Sequence, residues 1–235
     1  MWRLLTPTFL VLFFALSAKA ATGESKSFAV FAASYNTHND EARGGVMGTA
    51  FFVAPDKAIT AFHVLQKNVF KPADGFERVR IWLVHEGAPA IELDVNEIEG
   101  RADQDMTLIK LTKGKKVADQ FVFRSGTSNA QGASVETEGF LANSTGPLLA
   151  RSGQDLVITS VPKLHRLKLQ GQLMRSAKID IRSADVNLKA TPCLQLTYQP
   201  IRGMSGGPVT VDGRVVGMNS FGDPDGFTRT WAVQL

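Results

Sequence analysis

Three residues of the chain combine a type and a setting that could support covalent catalysis. Ser205 stands among three glycines in Gly203-Met204-Ser205-Gly206-Gly207-Pro208. Glycine gives up more conformational freedom on folding than any other residue. The stretch therefore reads either as a tight turn closing a hairpin or as a segment that brings backbone N–H groups up to a reacting centre beside the hydroxyl. The second reading requires a base and an acid elsewhere in the chain. A serine hydroxyl is a weak nucleophile until a neighbouring base takes its proton, and imidazole is the usual base because it titrates near neutrality. Among four histidines, His63 follows the strand-like run KAIT in "ITAFHVL", at a strand end from which a ring can project into a cleft. His38 and His85 read as loop or strand-end residues, and His165 as an exposed member of a basic alternating strand. A carboxylate that fixes the tautomer of a histidine is best held rigidly at a strand edge. Asp105 opens the apolar strand "DMTLIKL" directly after the polar "EGRADQ"; Asp103, of the same parity but within the loop, is the second candidate.

The elements that must position these groups are strands. Short runs rich in Val, Ile, Thr and Phe recur between turn residues, among them "SFAVFAAS", "GTAFFVA", "RVRIWLV", "QFVFR", "SVETEGF", "HRLKLQG", "KIDIRS" and "RVVGMNSF". Sustained helical periodicity is absent, so the chain reads as an all-β barrel or sandwich. Val211-Asp212-Gly213-Arg214-Val215 is a hairpin with an Asp-Gly turn. "SYNTHNDEARGG" and "ANSTGPLLARSGQD" are the plainest loops, the latter carrying the sequon Asn143-Ser144-Thr145.

Composition narrows the function classes. The chain has 235 residues, enough for one large domain or two lobes with a full core. Residues 1–20 place Arg3 before a mostly apolar Leu4–Leu16 and a small-x-small Ala18-Lys19-Ala20, which is the order of a secretory signal peptide cut after Ala20. That apolar run makes a poor membrane helix, so no stable membrane insertion is expected after cleavage, an uncleaved N-terminal anchor being the second reading. Without Arg3 and Lys19 there remain 24 basic and 22 acidic residues, a formal charge of +2, with no basic patch interleaved with aromatics; no nucleic-acid partner is expected. Cys193 is the only cysteine and sits in the apolar "TPCLQLTY", a setting for a buried thiol. An exported chain of this size with no internal disulfide fits a bacterial periplasmic or secreted protein. Scattered acidic loop residues make no ligand pattern, and neither metal nor cofactor is expected.

"TAFH", "DMTLIKL" and "GMSGGP" follow one another with separations of 42 and 100 residues. Taken together, they resemble the trypsin-like (chymotrypsin-fold) serine peptidases, in particular the bacterial, disulfide-free type. "GTAFFVAPDKAITAFHVL" resembles the first-barrel strand pair and histidine turn of that family, and "SVETEGF" the strand opening its second barrel. The order His, Asp, Ser differs from the usual α/β-hydrolase order. The resemblance implies two six-stranded antiparallel β-barrels with the active site between them, spanning residues 21–235 with a junction at roughly 115–135. It implies a serine endopeptidase acting on a polypeptide substrate through an acyl-enzyme. Ser205 would be the nucleophile, His63 the base and then the acid, and Asp105 the orienting carboxylate. The N–H groups of Gly203 and Ser205 would form the oxyanion hole. "TWAVQL" resembles the last barrel strand, without the peptide-binding domains that periplasmic quality-control relatives often append.

Departures from the digestive enzymes of that family carry further expectations. Met204 stands where those enzymes place an aspartate that pairs with a freshly cut N-terminus, so no such activation is expected, and the turn must be ordered by packing or by an effector. Gln199 stands where an aspartate would select Lys or Arg, and Asn219 where glutamate-specific relatives often place a histidine. A small or medium uncharged P1 side chain is expected. Ser220-Phe221-Gly222 resembles the segment on which the substrate backbone adds as a strand. The competing readings are a catalytically idle scaffold of the same fold acting as a protein-binding module, and an esterase or acyl transferase using the same three groups.

Overall fold

The structure, a computed structural model, describes residues 25–38, 41–65, 71–112, 114–127, 130–142, 148–161, 164–183, 186–222 and 229–235. The signal segment and the sequon lie outside the described residues. Strands dominate. The first lobe holds β1 (Ser27–Tyr35), β2 (Ala42–Ala54), β3 (Lys57–Ala61), β4 (Arg78–His85), β5 (Ala88–Glu92), β6 (Ile98–Arg101) and β7 (Met106–Lys110). These pair in the order β5-β4-β1-β2-β3-β7-β6. The second lobe holds β8 (Arg124–Ser125), β9 (Ser134–Phe140), β12 (Arg166–Arg182), β13 (Asn187–Leu196), β14 (Pro208–Val211), β15 (Arg214–Gly222) and β16 (Thr230–Gln234), while β10 (Leu148–Ser152) and β11 (Asp155–Ser160) form a separate hairpin between β9 and β12.

The all-β, two-lobe reading holds, with one strand added to the six expected in each lobe. Each main sheet has seven strands rather than six. In the second lobe, β14-β9-β12-β13-β16-β15 closes on itself through the β14–β15 pair, and β8 adds in parallel to β15 as the seventh strand. In the first lobe the seventh strand is β6, which the polar "EGRADQ" did not announce; it is an edge strand paired only to β7, so most of its side chains face water.

Other boundaries also move. "HRLKLQG" and "KIDIRS" belong to one strand of 17 residues, β12, which pairs with β9 along its first part and with β13 along its second. "QFVFR" is a 3-10 turn at Asp119–Phe121 followed by the short β8. Half of the expected loop "ANSTGPLLARSGQD" is β10 and its turn into β11. The Asp-Gly hairpin is as expected: Asp212 and Gly213 take φ of 49° and 71°, the pair of positive values that matches strand twist in a two-residue turn.

Two devices tie the lobes together. Glu138 on β9 accepts from Ser25 Oγ, Lys26 N and Ser27 N at 3.0 Å each and from Ser27 Oγ at 2.7 Å, fastening the start of β1 to the second lobe. The β10–β11 hairpin folds back over β1 and β4, where Leu156 and Leu164 join Phe31, Tyr35 and Trp82 in one buried cluster. Asp155 in this hairpin accepts from Arg80 Nη2 at 2.8 Å and from Tyr35 OH at 3.3 Å. Within the first lobe, Glu97 anchors the segment that follows β7. Burial alone would raise its pKa, but donors from Asp94 N, both Thr112 groups and Lys115 Nζ hold it at about 2.

Candidate active site

His63 sits in a 3-10 turn, Phe62–Leu65, at the end of β3. Its neighbour across the sheet is Asp105, one residue before β7, in the left-handed region at φ 45°, which aspartate tolerates better than most side chains. Asp105 holds the turn by both backbone and side chain. Its carbonyl accepts from Phe62 N at 3.0 Å, and its Oδ1 accepts from His63 N at 3.0 Å. The His63 Nδ1 lies 3.0 Å from Oδ1 and 2.9 Å from Oδ2. An ionised carboxylate only accepts, so this contact puts the ring proton on Nδ1 and leaves Nε2 as the basic nitrogen. Asp105 is 1% exposed and His63 18%. Ser220 Oγ donates to Asp105 Oδ2, so the buried carboxylate is satisfied from two sides. Asp103, the second candidate, is exposed in the 3-10 turn before Asp105, where its carbonyl accepts from Thr191 Oγ1 at 2.9 Å; its carboxylate is not the one that meets His63.

The Gly203–Pro208 stretch is a turn packed against the first lobe. Thr49 N donates to the Ser205 carbonyl at 2.9 Å, and Thr49 Oγ1 donates to the Gly203 carbonyl at 2.8 Å while accepting from Phe140 N at 3.1 Å. Ala142 N donates to the Arg202 carbonyl at 3.2 Å. In a trans peptide, C=O and N–H point in opposite directions, so this bond turns the Gly203 N–H away from Ala142. Among the described residues neither Gly203 N–H nor Ser205 N–H donates to a backbone carbonyl. Gly203 has φ 95°, and a Cβ there would lie 2.1 Å from the Phe140 carbonyl oxygen and 2.4 Å from Ala142 N; only glycine fits.

Met204 is 3% exposed and packs into the second-lobe core with Tyr198, Val135 and Ile201. Of the two ways of ordering the turn, packing is the one on view.

One cleft, of about 730 Å³, is lined by His63 from the first lobe and Ser205 from the second, together with Gln199, Ser220, Phe221 and Gly222. Arg202 and Met204, which flank Gly203, line it too. Eight of the residues singled out from the sequence, Asn219 among them, thus meet in one place, with Asp105 behind His63. Among the hydrogen bonds of the described residues, none joins His63 to Ser205. Asn219 also lines the cleft, but its amide is committed: Oδ1 accepts from Tyr198 OH and Nδ2 donates to Thr137 Oγ1, both at 2.6 Å. Burial pushes the Tyr198 hydroxyl well above its ordinary pKa, so it remains a neutral donor.

Sequence reasoning missed three contributors. The Ser220 hydroxyl serves Asp105, whereas the strand segment had been read only for its backbone. Thr49 and Ala142 position the glycine turn from far away in the chain, and no local signal marks either of them. His85, read as a loop or strand-end residue, does end β4 but is 7% exposed, wedged between the rings of Phe28 and Phe121. Cys193 is fully buried as expected, its thiol pushed up to about 12 by burial and, secondarily, by Asp105.

The chain matches the family described as trypsin-like peptidase domain over residues 48–218. Solved structures of similar fold include the MamO protease domain from Magnetospirillum magneticum, 17% identical, covering 88% of this chain and 91% of that one at a TM-score of 0.55. The active form of the Rv3671c protease from M. tuberculosis is 16% identical, covering 88% and 75% at a TM-score of 0.52. The HtrA-type protease AlgW with a decapeptide is 11% identical, covering 90% of this chain and 61% of that one at a TM-score of 0.57. At these identities the likeness is one of fold. Comparison with curated proteins gives no match.

Proposed function

Because the chain belongs to the trypsin-like peptidase family, and so to the serine endopeptidases, we propose that it cleaves polypeptides through an acyl-enzyme formed on Ser205. Ser205 Oγ attacks the scissile carbonyl carbon as His63 Nε2 takes the hydroxyl proton. The proton then passes to the leaving amine, and water attacks the ester with His63 again as base. Asp105 stays ionised and stabilises the imidazolium. The N–H groups of Gly203 and Ser205 receive the developing oxyanion, a role in which a single donor is worth roughly 10²–10³ in rate. The substrate adds as a strand along Ser220–Gly222. Gln199, neutral and at the cleft, suits an uncharged P1 side chain. Residues 1–20 would export the chain to the periplasm or beyond; no helix among the described residues is long and apolar enough to cross a membrane.

The observation that supports this reading most directly is the double hold of Asp105 on His63, by backbone and ring, with the ring facing the cleft that Ser205 lines. The missing His63–Ser205 bond is compatible with it, since such contacts are often long before substrate binds and tighten in the Michaelis complex. The test is covalent labelling by a fluorophosphonate probe. Wild type is expected to label and Ser205→Ala and His63→Ala to stay unlabelled. A folded but unlabelled wild type would overturn the catalytic reading in favour of a binding scaffold.

A further inference from the structure

Two cations line the cleft that holds the reacting groups. Arg202 immediately precedes Gly203, and Arg182 ends β12 at the tip of the long β12–β13 hairpin; both line the cleft and both are exposed. Among the described residues neither guanidinium has a hydrogen-bond or ion-pair partner. This contrasts with Arg80, which is paired to Glu92 and Asp155. Among the described residues Asp180 is the only carboxylate lining the cleft and shares a strand face with Arg182, yet its Oδ1 accepts from Ala190 N at 2.9 Å. Its charge is held within the hairpin rather than against Arg182.

We propose that the cleft selects acidic segments, with one Glu or Asp received by Arg202, next to the proposed oxyanion donor Gly203, and a second received by Arg182, both outside the uncharged P1 position. A guanidinium offers a rigid donor fork that fits a carboxylate through two parallel bonds. Two cations against a single carboxylate among the described residues that line the cleft also attract an incoming anionic chain and speed its encounter. The specificity rests on the peptidase reading for turnover, but the recognition does not depend on the chemistry.

Matched peptides with one constant uncharged P1 residue, differing only by Glu or Gln at the positions around it, test it in two ways. In the first, wild type is expected to cleave the Glu peptides roughly three- to tenfold faster at low ionic strength, with the ratio shrinking as salt is added. Arg182→Gln and Arg202→Gln should each reduce that ratio, and the double variant should bring it close to one. In the second, the full chain carrying Ser205→Ala binds the fluorescent Glu peptide more tightly than its Gln counterpart. Turnover with equal rates, or a ratio that survives in the double variant, overturns the acidic preference while leaving the peptidase reading intact. Preferential binding of the Glu peptide with no turnover by wild type supports the acidic preference and overturns the peptidase reading. Equal binding, or none, overturns the preference.

Discussion

Ala142 N–H and the Arg202 carbonyl are joined at 3.2 Å, and this bond fixes the peptide plane that carries the Gly203 N–H. One partner lies two residues past the end of β9 and the other immediately precedes Gly203. The direction of the proposed oxyanion donor is therefore a tertiary property.

Gly203→Ala should break that relationship. The new Cβ would meet the Phe140 carbonyl oxygen at 2.1 Å in a backbone region costly to side chains, so the turn has to move. In peptide hydrolysis kinetics, kcat is expected to fall by roughly 10²–10³. Gly213→Ala is the control: it has φ 71° but open space around it, so it should lower Tm modestly and leave kcat near wild type. Equal kcat losses in both would mean that strain, not donor direction, is responsible.

Ser220→Ala removes the hydroxyl that donates to Asp105 but keeps the backbone along which substrate is proposed to add. A hydrogen bond to a charged group contributes about 1.5–3 kcal/mol, so kcat should fall at least tenfold with KM little changed. A rise in KM at constant kcat would assign Ser220 to substrate binding alone.

Met204 offers a test of how the turn is ordered. Met204→Leu keeps an apolar chain of similar volume and should cost under about 1.5 kcal/mol. Met204→Asp would put a carboxylate into the Tyr198–Val135 cluster, at a cost of several kcal/mol when unpaired. Thermal melting and probe labelling should both be nearly unchanged in the first variant and severely reduced in the second. A Met204→Asp chain that stays stable and labels would show that the turn is not held by packing.

His85 sets a stability limit on the acid side. Burial lowers its pKa from the ordinary 6.5, outweighing the Ser25 carbonyl contact and the acidic neighbours Glu138 and Glu86, while Arg166 adds to the lowering. The geometry agrees: Gly87 N donates to Nδ1 at 2.9 Å, and Nε2 donates to the Ser25 carbonyl at 3.0 Å, which requires the neutral ring. The unfolded chain thus binds the proton first. Stability is complete above about pH 6.5 and is lost as pH falls from there through the lower folded value. Denaturant titrations between pH 7.5 and about 5 should show this slope in wild type and a flatter one in His85→Gln; parallel slopes would remove His85 as the cause.

The strand class and the place of His63, Asp105 and Ser205 were legible because they depend on local signals: alternation, a turn dipeptide, and a polar residue at the mouth of an apolar run. What was not legible depends on partners distant in the chain. β10 was hidden in a polar segment because the partners of its hairpin are distant in the chain: Leu149, Leu156 and Ile158 join a cluster with Phe31, Tyr35, Trp82 and Phe140. β12 looked like two strands because its sheet partner changes partway along its length. His85 looked like a strand-end residue because nothing nearby shows that Ser25 and Phe121 close around it.

The hairpin that covers Phe31, Tyr35 and Trp82 reaches them from far along the chain, Asp155 lying 120 positions after Tyr35. During synthesis from the N-terminus, the first sheet is complete well before its covering has been made. A half-made chain therefore either waits unfolded or presents a bare aromatic face that a chaperone must shield. For the same reason the two lobes, although each has its own sheet, are not separable modules: expressed alone, residues 25–123 would be expected to aggregate.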